Sequence, residues 1–156
     1  MKRPSKAELR AAAERSISQG ALDLGCLGFT VQDYWFYATL AEVDPVFLEP
    51  YLPQLWENLD RNNSSIIRCG LSVFRKVKLP SDLEGEVFAF CMQLLHQGNQ
   101  PVAVLSFALW ICAKISALHP SLWEETLERV KYYRERRSDP GIQSAANAIL
   151  RLSTRH

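Results

Sequence analysis

The sequence predicts an all-α chain: a right-handed α-solenoid of about three helix pairs, with a capping helix at each end. Three observations carry this. Prolines inside helix-to-helix turns recur at Pro45, Pro80 and Pro120, separated by 35 and then 40 residues. The helices that precede them begin near Val31, Ile66 and Val102, and step by about the same amount. No stretch alternates apolar and polar residues between hairpin signals, so no strand is assigned. A single helix pair cannot cover its own apolar faces, so neighbouring pairs stack and share one core.

The elements follow from local chemistry. Ser5 with Glu8 has capping-box spacing and starts a helix over Lys6–Ser18. Gly20, Gly25 and Gly28 then break the chain. Thr30 is placed to cap a helix over Val31–Val43, which Asp44-Pro45 closes. A turn near Pro45–Leu48 leads to a helix from Pro50 to Asp60, and Asn62 to Ser65 form a loop and cap. The next helix is expected over Ile66–Leu79, with Ile67, Leu71 and Phe74 on one stripe and Pro80 as its stop.

Ser81 with Glu84 reads as a second capping box, before an apolar face of Leu83, Val87, Phe90, Cys91, Leu94 and Leu95. Gly98 to Pro101 break the chain again, and Val102–Leu118 is the most apolar helix. After His119-Pro120, Ser121 with Glu124 has the spacing of a third capping box. It opens a helix to about Arg137, striped by Trp123, Leu127, Val130 and Tyr133. Ser138 to Gly141 cap a last helix with Ile142, Ala145, Ala146 and Ile149 inward. The expected organisation is an N-terminal cap and glycine-containing loop (1–30), repeats over 31–63, 64–100 and 101–139, and a C-terminal capping helix over 140–153.

The stretches Glu42–Leu59, Leu79–Val87, Pro101–Leu127 and Ser138–Leu152 carry a family pattern: helix, His/Asp-Pro turn, Leu-rich second helix. On these the chain resembles HEAT-like (armadillo-type) repeat proteins, in particular small bacterial ones, mostly from Bacteroidetes, over about Val31 to Leu152. The resemblance implies the fold and is nearly silent on function.

Composition narrows the function class. The 156 residues carry 18 basic and 17 acidic side chains, 47% apolar residues and a net charge of +1. That is enough apolar material for one core, and too little net charge to select a polyanion or polycation by bulk charge. Residues 21–60 hold seven acids and no Lys or Arg, whereas the segments on either side are mildly basic. An acidic first repeat could dock a basic partner or stack head to tail. Met1–Ser18 lacks the apolar run of a signal peptide. Pro101–Leu118 has about the length of a short membrane span and a single charge, Lys114. No basic anchor precedes it and apolar stripes flank it, so it reads as a central helix covered by protein. Cys26, Cys69, Cys91 and Cys112 are too scattered for a disulfide scaffold and read as small buried residues in a reducing, cytoplasmic compartment.

The sequence offers little catalytic chemistry. His96, His119 and His156 stand in no metal-ligand spacing; His119 reads as a capping residue, His96 as a partner of a helix dipole and His156 as a mobile terminus. Arg68 beside Cys69 could favour a thiolate, but Cys69, Cys91 and Cys112 lie in apolar helices, where burial is the simpler reading. Neither a nucleophile elbow nor a phosphate loop is present. The carboxylates Glu84, Glu86, Glu124 and Glu125 read as solvated charge near helix N-termini. No catalytic residue, cofactor or metal is expected.

The aromatic residues are more informative. Tyr34 to Tyr37 point around the whole circumference of their helix, so either that helix is packed on several sides or a ring is exposed. Tyr132 falls off its apolar stripe and sits with Arg129 and Arg136 on the outer face; aligning the prolines puts Met92 at the equivalent place one repeat earlier. The expectation is a non-enzymatic interaction module that binds a protein or peptide on its second-helix face through Met92, Arg129, Tyr132 and Arg136, with Trp35 as a further contact. The alternative, by resemblance to HEAT-like DNA glycosylases, is nucleic-acid binding through Arg129, Lys131, Arg134, Arg136 and Arg137, although Glu124, Glu125, Glu128 and Glu135 interleave with them. A third expectation is a homo-oligomer joined through the first helix pair, where Trp35 and Tyr37 would be uncovered.

Overall fold

The computed structural model describes residues 2–154, apart from the side chain of Cys26. The expectations for Cys26 and His156 lie outside the described residues. The fold is all-α, and no strand occurs among the described residues. The chain divides into two compact units, Met1–Pro80 and Ser81–His156.

In the first unit, α1 (Lys6–Gln19) opens on the expected box: the Glu8 amide donates to Ser5 Oγ, and the Ser5 amide to the Glu8 carboxylate. Gly20, at φ 83°, ends it in the left-handed conformation that glycine adopts without strain. The glycine-containing break holds a short turn, α2 (Leu24–Leu27), because Asp23 caps the Gly25 amide. α3 (Val31–Val43) is capped by Thr30 and Asp33 reciprocally. The turn α4 (Pro45–Leu48) matches expectation, but the helix expected over Pro50 to Asp60 does not form as one piece. A 3-10 turn, Glu49–Tyr51, runs into a shorter α5 (Leu52–Glu57), since two prolines remove backbone donors from its start.

α6 runs over Ser64–Lys76 rather than to Leu79. Asn63 accepts from the Ser65 and Ile66 amides, which starts the helix earlier. Val77 is extended, and both Val77 and Leu79 are buried beyond the helix end. A residue before proline is steered out of the helical region, consistent with an early stop ahead of Pro80.

The core of this unit is built on α3, which packs against α1, α4 and α6. Tyr34 and Tyr37 are fully buried and meet edge to face at 5.4 Å. Each hydroxyl is satisfied: Tyr34 donates to the Leu55 carbonyl at 2.7 Å and Tyr37 to the Gly28 carbonyl at 2.6 Å. Those carbonyls lie at ends of α5 and α2, where helical partners run out. Tyr37 is therefore not the uncovered contact expected for a homo-oligomer, because its ring fills the core and its hydroxyl caps α2.

In the second unit, α7 (Ser81–Gln97) begins at Ser81 itself, and α8 (Val102–Leu118) has the expected bounds. The third capping box is absent: Pro120–Leu122 form a 3-10 turn, and α9 (Trp123–Arg136) starts from Leu122 with no side-chain cap. Pro120 fixes the first residue of that turn, and the Leu122 amide donates to the His119 carbonyl at 2.9 Å. α10 (Pro140–Ser153) buries Ile142, Ala145, Ala146 and Ile149 as expected.

α8 packs against α7, α9 and α10, which is why it is apolar around most of its circumference. No helix among the described residues is long and apolar enough to cross a membrane. Several polar groups inside this unit are paired. Tyr133 donates to the Leu95 carbonyl at 2.6 Å, near the end of α7. Ser116 donates to the Cys112 carbonyl at 2.8 Å and accepts from Thr126, also at 2.8 Å. Gln143 donates to the Arg134 and Arg137 carbonyls, closing the end of α9 from α10.

Candidate docking groove

Residues at positions 81, 84, 85, 88, 89 and 92 of α7 recur at helical spacing and form one wall of a hollow of about 660 Å³. Ile115 and His119 from the end of α8, and Leu122 and Glu125 from the start of α9, complete it. Phe88, Met92, Ile115 and Leu122 supply apolar surface, while Glu84 and Glu125 make the polar lining acidic. Here α7 carries a second apolar stripe, Phe88 and Met92, offset from the face the sequence pattern singles out.

Glu84 is the principal correction to the sequence reading. It is buried, not solvated like Glu86, Glu124 and Glu125. Its carboxylate hydrogen-bonds to Nε2 of His119, whose ring remains about half exposed. His119 is the C-cap residue of α8, as expected for a residue before proline, but its ring also ties α8 to α7. A neutral imidazole bonded this way donates from Nε2 to the carboxylate and leaves Nδ1 as the acceptor. Among the described residues the ring bonds to no hydroxyl or thiol. One signal was available: Glu84 and His119 are 35 residues apart, one repeat period.

The α9 stripe that starts at Glu125 continues through Arg129, Tyr132 and Arg136 at helical spacing. The Arg129 and Arg136 guanidinium groups lie 4.5 and 4.2 Å from the Tyr132 ring centre. Tyr132 is 38% exposed, and Tyr133 meets it edge on at 5.5 Å. Arg129 also approaches Glu128 at 3.6 Å, yet its buried Nε finds no hydrogen-bond partner. Among the remaining cations of the basic run, Arg137 is held by Asp139 at 2.8 Å.

The structure thus gathers Arg129, Tyr132 and Arg136. Met92 is placed differently from expectation: it is only 5% exposed and lines the hollow instead of standing on the outer face. Met92 shares a second buried stripe of α7 with Phe88, and alignment of the prolines reports position along a helix, not depth. Trp35 lies in the first unit, half-buried in a cleft between α1, α3 and α6, with the Arg3 guanidinium 4.8 Å from its ring centre.

Cys69, Cys91 and Cys112 are buried. Burial pushes the Cys69 thiol up against the pull of Arg68 and Arg3. Burial, then the neighbouring Cys91, pushes Cys112 well up. Neither is therefore an activated thiolate. No group of three His, Cys, Asp or Glu residues among the described residues could hold a metal ion.

A sequence model of the HEAT repeat domain matches residues 29–152. No curated protein and no solved structure matches the chain.

Proposed function

The chain belongs to the HEAT repeat family, and from that premise we propose that it is a non-enzymatic interaction module that docks a protein or peptide on the second-helix face of residues 81–156. Proteins of this architecture present stacked helices as extended binding surfaces. The observation that carries the reading is the hollow between α7 and α9, apolar inside and acidic at Glu84 and Glu125, together with the Arg129–Tyr132–Arg136 stack further along α9.

The occupant that fits is an amphipathic segment. An apolar side chain enters between Phe88, Met92 and Leu122; a basic residue beside it faces Glu84 and Glu125; an acidic residue farther along meets Arg129 and Arg136. Apolar anchors and exposed Tyr and Arg are the residue types that dominate interface energies.

Peptide display against the intact chain tests this. Recovered peptides are expected to pair an apolar anchor with a basic neighbour. Tyr132→Ala and Arg129→Glu are each expected to weaken them at least about tenfold, roughly 1.4 kcal/mol. Equal affinity for variants and parent would discard this face. Tight, salt-sensitive binding of duplex DNA in place of peptide would favour the nucleic-acid alternative.

A further inference from the structure

The cleft of the first unit has a different chemistry. It encloses about 250 Å³ between α1, α3 and α6. Arg3, Lys6, Arg10 and Lys76 line it against a single carboxylate, Glu42. Two chain segments, residues 3–10 and the end of α6, thus bring like charges together, which costs energy unless a counter-charge is present. Arg10 has a partial partner in Glu14, an exposed contact at 3.4 Å. Arg3, Lys6 and Lys76 make no ion pair among the described residues.

Trp35 orients the site. The Arg3 guanidinium lies over its indole ring, and such stacking leaves the in-plane N–H edges available to an acceptor. Thr39 is fixed in the wall by donating to the Trp35 carbonyl at 2.9 Å, while Ser72 adds a hydroxyl. The positive field reaches the floor, where Arg3 and Arg68 act on the Cys69 thiol.

We propose that this cleft binds a small hydroxylated phosphate monoester: Arg3, Lys6 and Lys76 hold the phosphate oxygens, and Glu42 at the rim accepts from a hydroxyl of the ligand. A bidentate guanidinium with ammonium neighbours matches a dianionic phosphate in charge and geometry. Glu42 would repel a bare phosphate, so the hydroxyl is part of the fit. The volume is below the usual range for drug-sized ligands, which suits a sugar phosphate better than a nucleic-acid strand.

The test is titration of the full chain with ribose 5-phosphate, inorganic phosphate and a duplex of about 20 base pairs, at roughly 0.01 M salt, where screening is weakest. The Trp35 indole N–H resonance, assigned with Trp35→Phe, is the reporter. Ribose 5-phosphate is expected to shift it with a Kd of about 1 mM or tighter. Inorganic phosphate should bind more weakly. The double variant Arg3→Gln/Lys76→Gln, at exposed positions that leave the helical spectrum unchanged, should lose at least about tenfold in affinity. Glu42→Gln should tighten inorganic phosphate by removing the repulsion, a gain that general loss of structure would not give. No shift of Trp35, or unchanged affinity in the double variant, would overturn the proposal. Tighter binding by the duplex than by ribose 5-phosphate would overturn the small-ligand assignment. Either failure leaves the docking reading of residues 81–156 standing.

Discussion

Gly70 sits inside α6 where Leu59 presses against the helix. A Cβ there would stand 2.6 Å from Leu59 Cδ1, and Leu59 is itself buried. Alanine would gain about 0.5–1 kcal/mol from helix propensity. The displaced leucine has little free volume, and overpacking typically costs about 1–3 kcal/mol. Gly70→Ala is therefore expected to destabilise by roughly 1 kcal/mol, read as a lower urea midpoint at unchanged m-value. At this scale the sequence was legible where one residue decides its own surroundings: Ser5, Thr30, Asn63 and the Tyr132 cluster all behave as their chemistry says. It was not legible where two distant residues decide together. Glu84 is buried where His119 meets it from another helix, and Met92 lies with Phe88 on a second buried stripe of α7 that lines the hollow. Neither fact is contained in a local pattern.

Among the elements, α8 is the one the second unit is built around. Leu105, Leu109 and Cys112 are fully buried, and three helices pack on it. Leu109→Ala is expected to cost about 2–5 kcal/mol by lost burial and a residual cavity. Val46, 67% exposed on α4, is the contrast: Val46→Ala should change stability by less than about 0.5 kcal/mol. Thermal melts of both variants check the pair. Helix identity was readable because apolar spacing and prolines agree; ends were less so. α6 stops early because Val77 and Leu79 are worth more in the core than in another turn. α9 begins on a 3-10 turn because Pro120 fixes the backbone before Ser121 can cap.

For the whole molecule, buried titratable groups set opposing trends with pH. Burial pushes Lys114 down to about 8 from its ordinary 10.5. Between those values the unfolded chain binds more protons, so this group makes stability rise with pH, by about 1 kcal/mol once partial exposure is allowed for. Burial pushes Tyr34 and Tyr37 up from 10.0. The folded chain keeps phenolic protons that the unfolded chain releases above that pH, so their contribution is lost as pH rises further. Urea midpoints are expected to climb from about pH 7.5 to about 8.5 and, because the unfolded chain also releases the Cys69 and Cys112 thiol protons above that, to fall by about pH 11. Lys114→Met should flatten the climb and leave the fall. The charge bias of residues 21–60 was visible in the sequence; the cleft of like charges above Trp35 was not, because it needs three segments to converge. The buried thiols have one more consequence. Cys69 belongs to the first unit, Cys91 and Cys112 to the second. With Cys26→Ser in place, alkylation under native conditions becomes a pair of built-in clocks, each ticking only when its own half breathes open. If the halves breathe separately, Cys69 will be trapped by the reagent at one rate and the other two together at another.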